Sequence, residues 1–483
     1  MSYRHVARAP IWTNKGHVSA AAGALAAVVF AKFLLLLLDP QIRLFMGDSA
    51  TYLFSAVSHA TPPDRSFTYP MLIGETAGRS GSLVSLLLAQ TVFGIAAALC
   101  LHFTLRTAFG VRGWLAALAA AALAVEPSQL FYERMVMTET TSSLCLLGCV
   151  TLTLAYLRDG RLLWLLACAM LGTVVASLRV GLVPVALCLA PLAPLLVALL
   201  RGRSGVPTPG HARLAIHFLV AVLATGICHH EYKIWYGART ASAPAYLLDA
   251  GVFRLGLVVP LLKPEHFAGT GVSPAILDEV RIPLANPHNR EAHIWTPGGL
   301  ISVLREHAGL RTREVAAMLA EHAIHDDPMG LVSLGIVTFA EYFDPWQRSE
   351  RLHSDIGYGE PPGEQTLALL RERFHYEAAG VARTPTPILR YFEQGALWLV
   401  ICLFALLPLA LTMLHLQWRV RPAPALLLAL LAAGMVIGEF LCAHIISFRY
   451  LHPLPMLFLI CLAATVDRLL PRHARALEMR WPA

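Results

Sequence analysis

The chain has 483 residues, 56% of them hydrophobic and 14% charged, with a mean hydropathy of +0.59; these values exclude an ordinary soluble domain and imply an integral membrane protein. Its formal charge of +7 is unevenly spread, because residues 232–388 hold 18 Asp and Glu against 14 Lys and Arg. The positive excess therefore lies in short loops beside apolar segments, which is a topology signal and excludes a nucleic-acid footprint.

The first apolar run, 18–38, follows Arg4, Arg8 and Lys15 and has the roughly 20 residues that a bilayer span requires. Asp39-Pro40-Gln41-Ile42 offers no small-residue cleavage site, so the run reads as a retained signal anchor. Further spans are expected over residues 83–105, 114–125, 140–157, 162–178, 182–200, 214–228, 396–416, 423–441 and 451–466, making about ten. Loops carrying Arg106/Arg112, Arg158/Arg161, Arg201/Arg203/Arg213, Arg419/Arg421 and Arg468/Arg472/Arg475 alternate with loops poor in basic residues. The positive-inside rule then puts both termini in the cytoplasm. Asp48, the 126–139 loop, Arg179, the long 232–388 loop and Arg449 share the opposite face.

Within the long loop, Asp327-Pro328 opens an apolar run over residues 329–343 that falls short of a span. Counting it as one would invert every later loop, so an interfacial or re-entrant helix is expected. The chain thus divides into an N-terminal transmembrane module (1–231), an extracytoplasmic loop domain (232–388) and a C-terminal transmembrane module (389–483). The nine cysteines, Cys100, Cys145, Cys149, Cys168, Cys188, Cys228, Cys402, Cys442 and Cys461, all lie in apolar stretches. They give neither a disulfide framework nor a Cys-x-x-Cys metal spacing.

Charged residues fused to span ends are the candidates for chemistry. Asp48 follows the first span, with Tyr52 one helical turn on, and is read either as a functional carboxylate or as a helix N-cap. The next loop, Pro62-Pro63-Asp64-Arg65-Ser66-Phe67-Thr68-Tyr69-Pro70, is either a proline-stiffened connection with interfacial aromatics or a part of the site. Arg179 is a phosphate ligand or a span-end arginine reaching the interface. Glu139 enters the fourth span, where it is either functional or simply solvated. His229-His230 point to different faces of a helix, so a shared metal is not expected.

Gly47-Asp48-x-x-x-Tyr52, the aromatic-Pro loop ending at Tyr69-Pro70, Glu126-Pro127 through Met137-Thr138-Glu139, and Phe448-Arg449-Tyr450-Leu451-His452-Pro453 together resemble the GT-C superfamily of polyprenyl-phosphate-sugar-dependent glycosyltransferases. They are most similar to bacterial members related to protein mannosyltransferases and lipopolysaccharide-modifying transferases. The resemblance implies an all-α polytopic, GT-C-like fold and inverting transfer of a sugar from a polyprenyl-phosphate donor to a glycan, lipid or protein acceptor, with Asp48 as general base. A fixed positive charge would stabilise the lipid-phosphate leaving group, which makes Arg449 the first candidate, then Arg179 and Arg65. Tyr52, Tyr69, Glu139, Tyr450 and His452 are the candidate substrate contacts. Related enzymes pair their acids in the first loop, whereas Ser49 and Ala50 follow Asp48, so a divalent cation would need Glu139 or Asp64 to help hold it. An Ala-, Leu- and Arg-rich composition suggests a bacterial inner membrane with the site on the periplasmic face. A transporter or flippase, and a non-catalytic binder of lipid-linked glycans, remain open as alternatives, although no inverted repeat supports the transporter.

Overall fold

The structure, a computed structural model, describes residues 15–203, 209–357, 362–378 and 384–471. Arg4, Arg8, Arg472 and Arg475, which enter the expected topology, lie outside the described residues. The helix α1 (Lys15–Leu38) stops before Asp39-Pro40. It is followed by α2 (Met46–Ser58), the short α3 (Thr68–Ile73) and α4 (Leu83–Thr104), where the Ser82 hydroxyl accepts the Val84 N–H as an N-cap. Next come α5 (Gly113–Ala124), α6 (Pro127–Tyr132), capped by Glu126, and the helices α7 (Glu139–Asp159), α8 (Leu162–Leu178) and α9 (Val183–Leu199).

The tenth helix, α10 (His211–Thr240), runs three turns past the expected span because its register stays amphipathic. His229, Tyr232 and Tyr236 continue the buried stripe, while Trp235 faces outward. The long loop folds into α11 (Ala250–Val258), α12 (Arg290–Trp295), α13 (Leu300–Ala308), α14 (Thr312–Asp326), α15 (Pro328–Glu341), α16 (Pro345–Asp355) and α17 (Glu364–Phe374). Leu255, Val258, Leu300, Leu304, Val315 and Leu319 give it a small core of its own. The chain ends with α18 (Pro387–Gln417), α19 (Pro422–Cys442), the one-turn α20 (Phe448–Leu451) and α21 (Leu454–Leu469).

Among the described residues, seven helical segments are long and apolar enough to cross a membrane: Leu83–Phe109, Glu139–Asp159, Val180–Leu199, His211–Thr240, Pro387–Gln417, Pro422–Leu441 and Phe448–Leu469. The protein is an all-α integral membrane protein. The other three expected spans fall on shorter apolar helices: Ala26–Leu38 within α1, Gly113–Ala124 and Leu162–Leu178. The 329–343 run is also short. It forms α15, which the Asp327 carboxylate caps at the Gly330 amide (2.7 Å) and which packs against α19 with Phe339 stacked on Phe440 at 4.1 Å. The approach is close enough that a Cβ on Gly335 would come within 1.9 Å of the Phe440 carbonyl oxygen.

The loops sort to two ends as the charge pattern requires. At one end Arg112 pairs with Asp467 at 3.4 Å, and the Arg421 guanidinium donates to the Ala108 carbonyl. At the other, the segments after α1, before α7, after α8 and before α21 all meet. Beneath that end Lys32, six residues inside α1 and so about 9 Å from its tip, pairs with Glu133 (Nζ–Oε1 2.5 Å), both side chains essentially inaccessible. Gln129 donates to the same Glu133 oxygen at 2.8 Å. Gly94 on α4 makes room, since a Cβ there would lie 1.8 Å from Glu133 Oε1. Breaking a buried pair typically costs about 3–5 kcal/mol because it strands a charge. Gly94→Ala is therefore expected to lower the thermal midpoint in detergent by several degrees. Gly226→Ala, at a helical glycine with no neighbour within 4 Å, should leave it unchanged or slightly raise it; equal midpoints for both variants would contradict the packing.

Candidate active site

The start of α2 is fixed by backbone pairing with the segment between α6 and α7. Arg43 and Met135 form a parallel bridge, the Arg43 N–H donating to Arg134 O (2.7 Å) and the Val136 N–H to Arg43 O (2.9 Å). Ser49 Oγ accepts the Phe45 amide at 2.7 Å, and its hydroxyl donates to Val136 O at 2.9 Å. Ser49 thus holds the backbone just ahead of the helix. The N-cap alternative for Asp48 fails: Asp48 lies in the first turn, and its carboxylate points away to two arginines.

The Arg449 Nη1 donates to Asp48 Oδ2 at 2.6 Å, and the Arg65 Nη2 donates to Asp48 Oδ1. The three side chains are mostly enclosed, with 13%, 15% and 18% of Asp48, Arg65 and Arg449 exposed. Burial alone would raise the Asp48 carboxyl, but Arg449 and Arg65 outweigh it and hold the group below the usual carboxylate range. Burial works against the Arg65 charge in the same way, and Asp48 outweighs it. Asp64, 3.6 Å from Arg65, is pushed up by burial.

Arg65 is held in place by the proline-stiffened loop, which docks on the upper part of α10. The Tyr236 hydroxyl donates to Pro62 O (3.0 Å) and Pro63 O (3.2 Å), and Phe67 stacks on Tyr232 with ring centroids 5.6 Å apart. Arg449 is stacked over Phe45 at 4.8 Å and over Tyr450 at 5.1 Å. Arg179 does not reach Asp48. Its Nη1 donates to the Arg449 carbonyl at 3.0 Å, and its guanidinium lies 5.8 Å from the Tyr450 ring, so it braces the arginine that does.

Tyr52 shares the Asp48 face of α2, as the spacing predicts, with the Arg65 guanidinium 5.8 Å from its ring; burial pushes its phenol well up. Tyr69 packs edge-on against Tyr52 at 5.0 Å and donates to Gln90 Oε1 at 2.7 Å, which places it in the wall. Glu139 is buried within electrostatic reach of Arg179 and Arg449, and its Oε2 has no hydrogen-bond partner among the described residues. His452 lies deeper: its Nδ1 meets Ser143 Oγ at 2.9 Å and its ring packs on Tyr132 at 5.0 Å. His452 Nε2 and the Tyr132 hydroxyl are likewise buried without partners.

Of the carboxylates considered for a divalent cation, Glu139 keeps an unpartnered oxygen, whereas the other two are engaged. Asp48 has both oxygens on guanidinium groups and Asp64 faces Arg65. Among the described residues no three His, Cys, Asp or Glu side chains converge as a metal site. A separate groove of about 350 Å3, lined by Ala122, Val125, Glu126, Pro127, Tyr391, Trp398 and Leu459, includes none of the Asp48 cluster.

No protein-family model matches the chain, and no curated protein does. Solved structures similar to it include the following three. The Archaeoglobus fulgidus oligosaccharyltransferase in its apo form has a TM-score of 0.43 and 14% identity, covering 97% of this chain and 52% of its own. ArnT from Cupriavidus metallidurans gives a TM-score of 0.36 at 15% identity in the apo state, covering 90% of this chain and 78% of its own. Bound to undecaprenyl phosphate, it gives 0.33 at 16%, covering 91% and 77%. This chain spans about half the length of the oligosaccharyltransferase. At these scores and identities neither one's chemistry transfers to this chain by similarity.

The depressed Asp48 carboxyl contributes stability that is complete above the ordinary carboxylate pKa and is lost as pH falls through the lower folded value. Arg449→Met removes part of that depression. The midpoint gap between wild type and Arg449→Met is expected to be constant near neutral pH and to narrow below the ordinary carboxylate pKa. A gap independent of pH would contradict the pairing.

Proposed function

We propose that the protein is an inverting membrane glycosyltransferase that moves a sugar from a polyprenyl-phosphate donor to an extracytoplasmic glycan, lipid or protein acceptor. The observation that carries this reading is Asp48 held between Arg65 and Arg449 at the end where several apolar helices meet. Two guanidinium groups at a membrane surface form a site for a lipid phosphate, and a carboxylate between them keeps them paired until the phosphate arrives. The donor phosphate competes with Asp48 for both arginines. Asp48, released from its two cations, then has the basicity to accept a proton.

In the reaction the acceptor hydroxyl attacks the anomeric carbon from the face opposite the phosphate. The new C–O bond forms as the sugar–phosphate bond breaks, and its electron pair stays on the lipid phosphate against Arg449 and Arg65. The hydroxyl proton goes to Asp48. Glu139, Tyr52 and Tyr450 line this centre and supply hydrogen bonds to the sugar or acceptor, the unpartnered Glu139 Oε2 being the most exacting of them. Tyr69 supports Tyr52 from behind, and His452 lies deeper, against Ser143 and Tyr132. The site would face the periplasm of a bacterial inner membrane, where undecaprenyl phosphate is the lipid to test.

Membranes containing the wild type or Asp48→Asn, supplied with radiolabelled polyprenyl-phosphate sugars and host glycans, test the reading. Transfer by the wild type and a loss of about 100-fold or more in Asp48→Asn are expected; equal transfer would remove Asp48 as the base. The clamp also has a pH signature. The acid limb of kcat/KM, reporting the free enzyme, should lie below the ordinary carboxylate range, while the limb of kcat, reporting the loaded enzyme, should lie higher. Coincident limbs would contradict release of Asp48 by the donor.

A further inference from the structure

Resting on the reading of Arg449 as a phosphate ligand, we infer that Asp355 in the large loop domain positions Arg449, and that this domain thereby sets the affinity of the phosphate site. Arg449 is the second residue of α20, the first turn of the Phe448–Leu469 segment, set off from α21 by the turn at His452-Pro453. The first amides of a helix have no partner within it, so groups outside must hold this turn.

The ordering groups come from the loop domain. Asp355, the last residue of α16, is fully buried, and its Oδ2 accepts both the Phe448 amide (2.7 Å) and the Ser447 hydroxyl (2.8 Å). Tyr342, the residue after α15, brackets the same place: its hydroxyl oxygen accepts the Ser447 amide at 3.1 Å, and its O–H donates to the Ser447 carbonyl at 3.1 Å. The two residues preceding Arg449 are thus held by side chains of the loop domain.

Asp355 is itself held from further away. Its Oδ1 pairs with Arg351 Nε at 2.9 Å, and Arg351 Nη1 pairs with Glu291 Oε2 at 3.0 Å. Glu291 lies on α12, which packs beside α11 and α13 in the loop domain's own core. A line of contacts therefore runs from that core through Glu291, Arg351 and Asp355 to the backbone of Ser447 and Phe448, and from Arg449 to Asp48. The Arg449 guanidinium reaches Asp48, Tyr450 and Phe45. Asp355 acts on it through the backbone, which makes Asp355 a positioning residue.

The test uses the full-length protein in detergent or nanodiscs, with wild type, Asp355→Ala, Asp355→Asn and Tyr342→Phe. Undecaprenyl phosphate alone is the binding probe, and hydrogen exchange of residues 446–450 reports local order. Asp355→Ala is expected to speed exchange at 446–450 while leaving α8 unchanged, and to weaken undecaprenyl phosphate binding and raise the donor KM by roughly 10–100-fold. Acceptor KM should not move. Asp355→Asn, which keeps an oxygen for the Phe448 amide, should recover part of the loss, and Tyr342→Phe should give a smaller loss of the same kind. Unchanged exchange in both Asp355→Ala and Tyr342→Phe, or equal changes in donor and acceptor KM, would overturn the inference. A wild type that binds no undecaprenyl phosphate and transfers no sugar would instead overturn the glycosyltransferase reading, and the exchange data would still decide whether Asp355 orders the Arg449 turn.

Discussion

A carboxylate shared by two guanidinium groups, mostly out of water, is the interaction on which the rest of the site depends. Each of the three charges would be costly to bury alone, and each is tolerable only while the others stay in place. The structure accordingly spends much of its irregular backbone on holding them. The Arg43–Met135 bridge fixes Asp48, the stacking of Phe67 on α10 fixes Arg65, and Asp355 and Tyr342 fix the turn that carries Arg449. Two parts of the chain that are far apart in sequence, residues 48–65 and the α20 turn, converge on one ion-pair network, Asp48 and Arg449 being 401 residues apart.

The same pairing constrains any chemistry. A carboxylate stabilised by two cations is a weak base, so Asp48 cannot serve as a proton acceptor while the clamp is closed. In the proposed mechanism an arriving phosphate would remove this difficulty by binding the same guanidinium groups, so that donor binding and activation of the base would be one event. Arg179 contributes at one remove, through the Arg449 carbonyl and the Tyr450 ring, and so shapes the direction of Arg449 more than its charge.

Seven of the ten expected spans, and the gathering of Asp48, Glu139, Arg179 and Arg449 at one end, were legible in the sequence, because hydropathy and the alternation of basic loops depend on local composition. The shared face of Asp48 and Tyr52 followed from helical spacing. The partition of roles among the arginines did not. Arg65 in the proline-stiffened loop and Arg179 at a span end were both candidate phosphate ligands, and only their side-chain directions separate a ligand of Asp48 from a brace for Arg449. Lys32 was findable, since a lysine inside the 18–38 apolar run marks a buried partner, here Glu133. Asp355, Arg351 and Tyr342 carried no such mark: they are ordinary residues of a polar loop until the fold brings them to Ser447 and Phe448. The length of α10 was misjudged for a related reason, as its upper turns are too polar for a span yet keep the helical stripe of His229, Tyr232 and Tyr236.

The central claim is that a lipid phosphate takes over the arginines from Asp48. An experimental structure of the wild type with undecaprenyl phosphate bound tests it most directly. The phosphate is expected in hydrogen-bond contact with Arg449 and Arg65, with the Asp48 carboxylate released from both and facing the space beside Glu139. A phosphate bound elsewhere, with Asp48 still paired to both arginines, would contradict it.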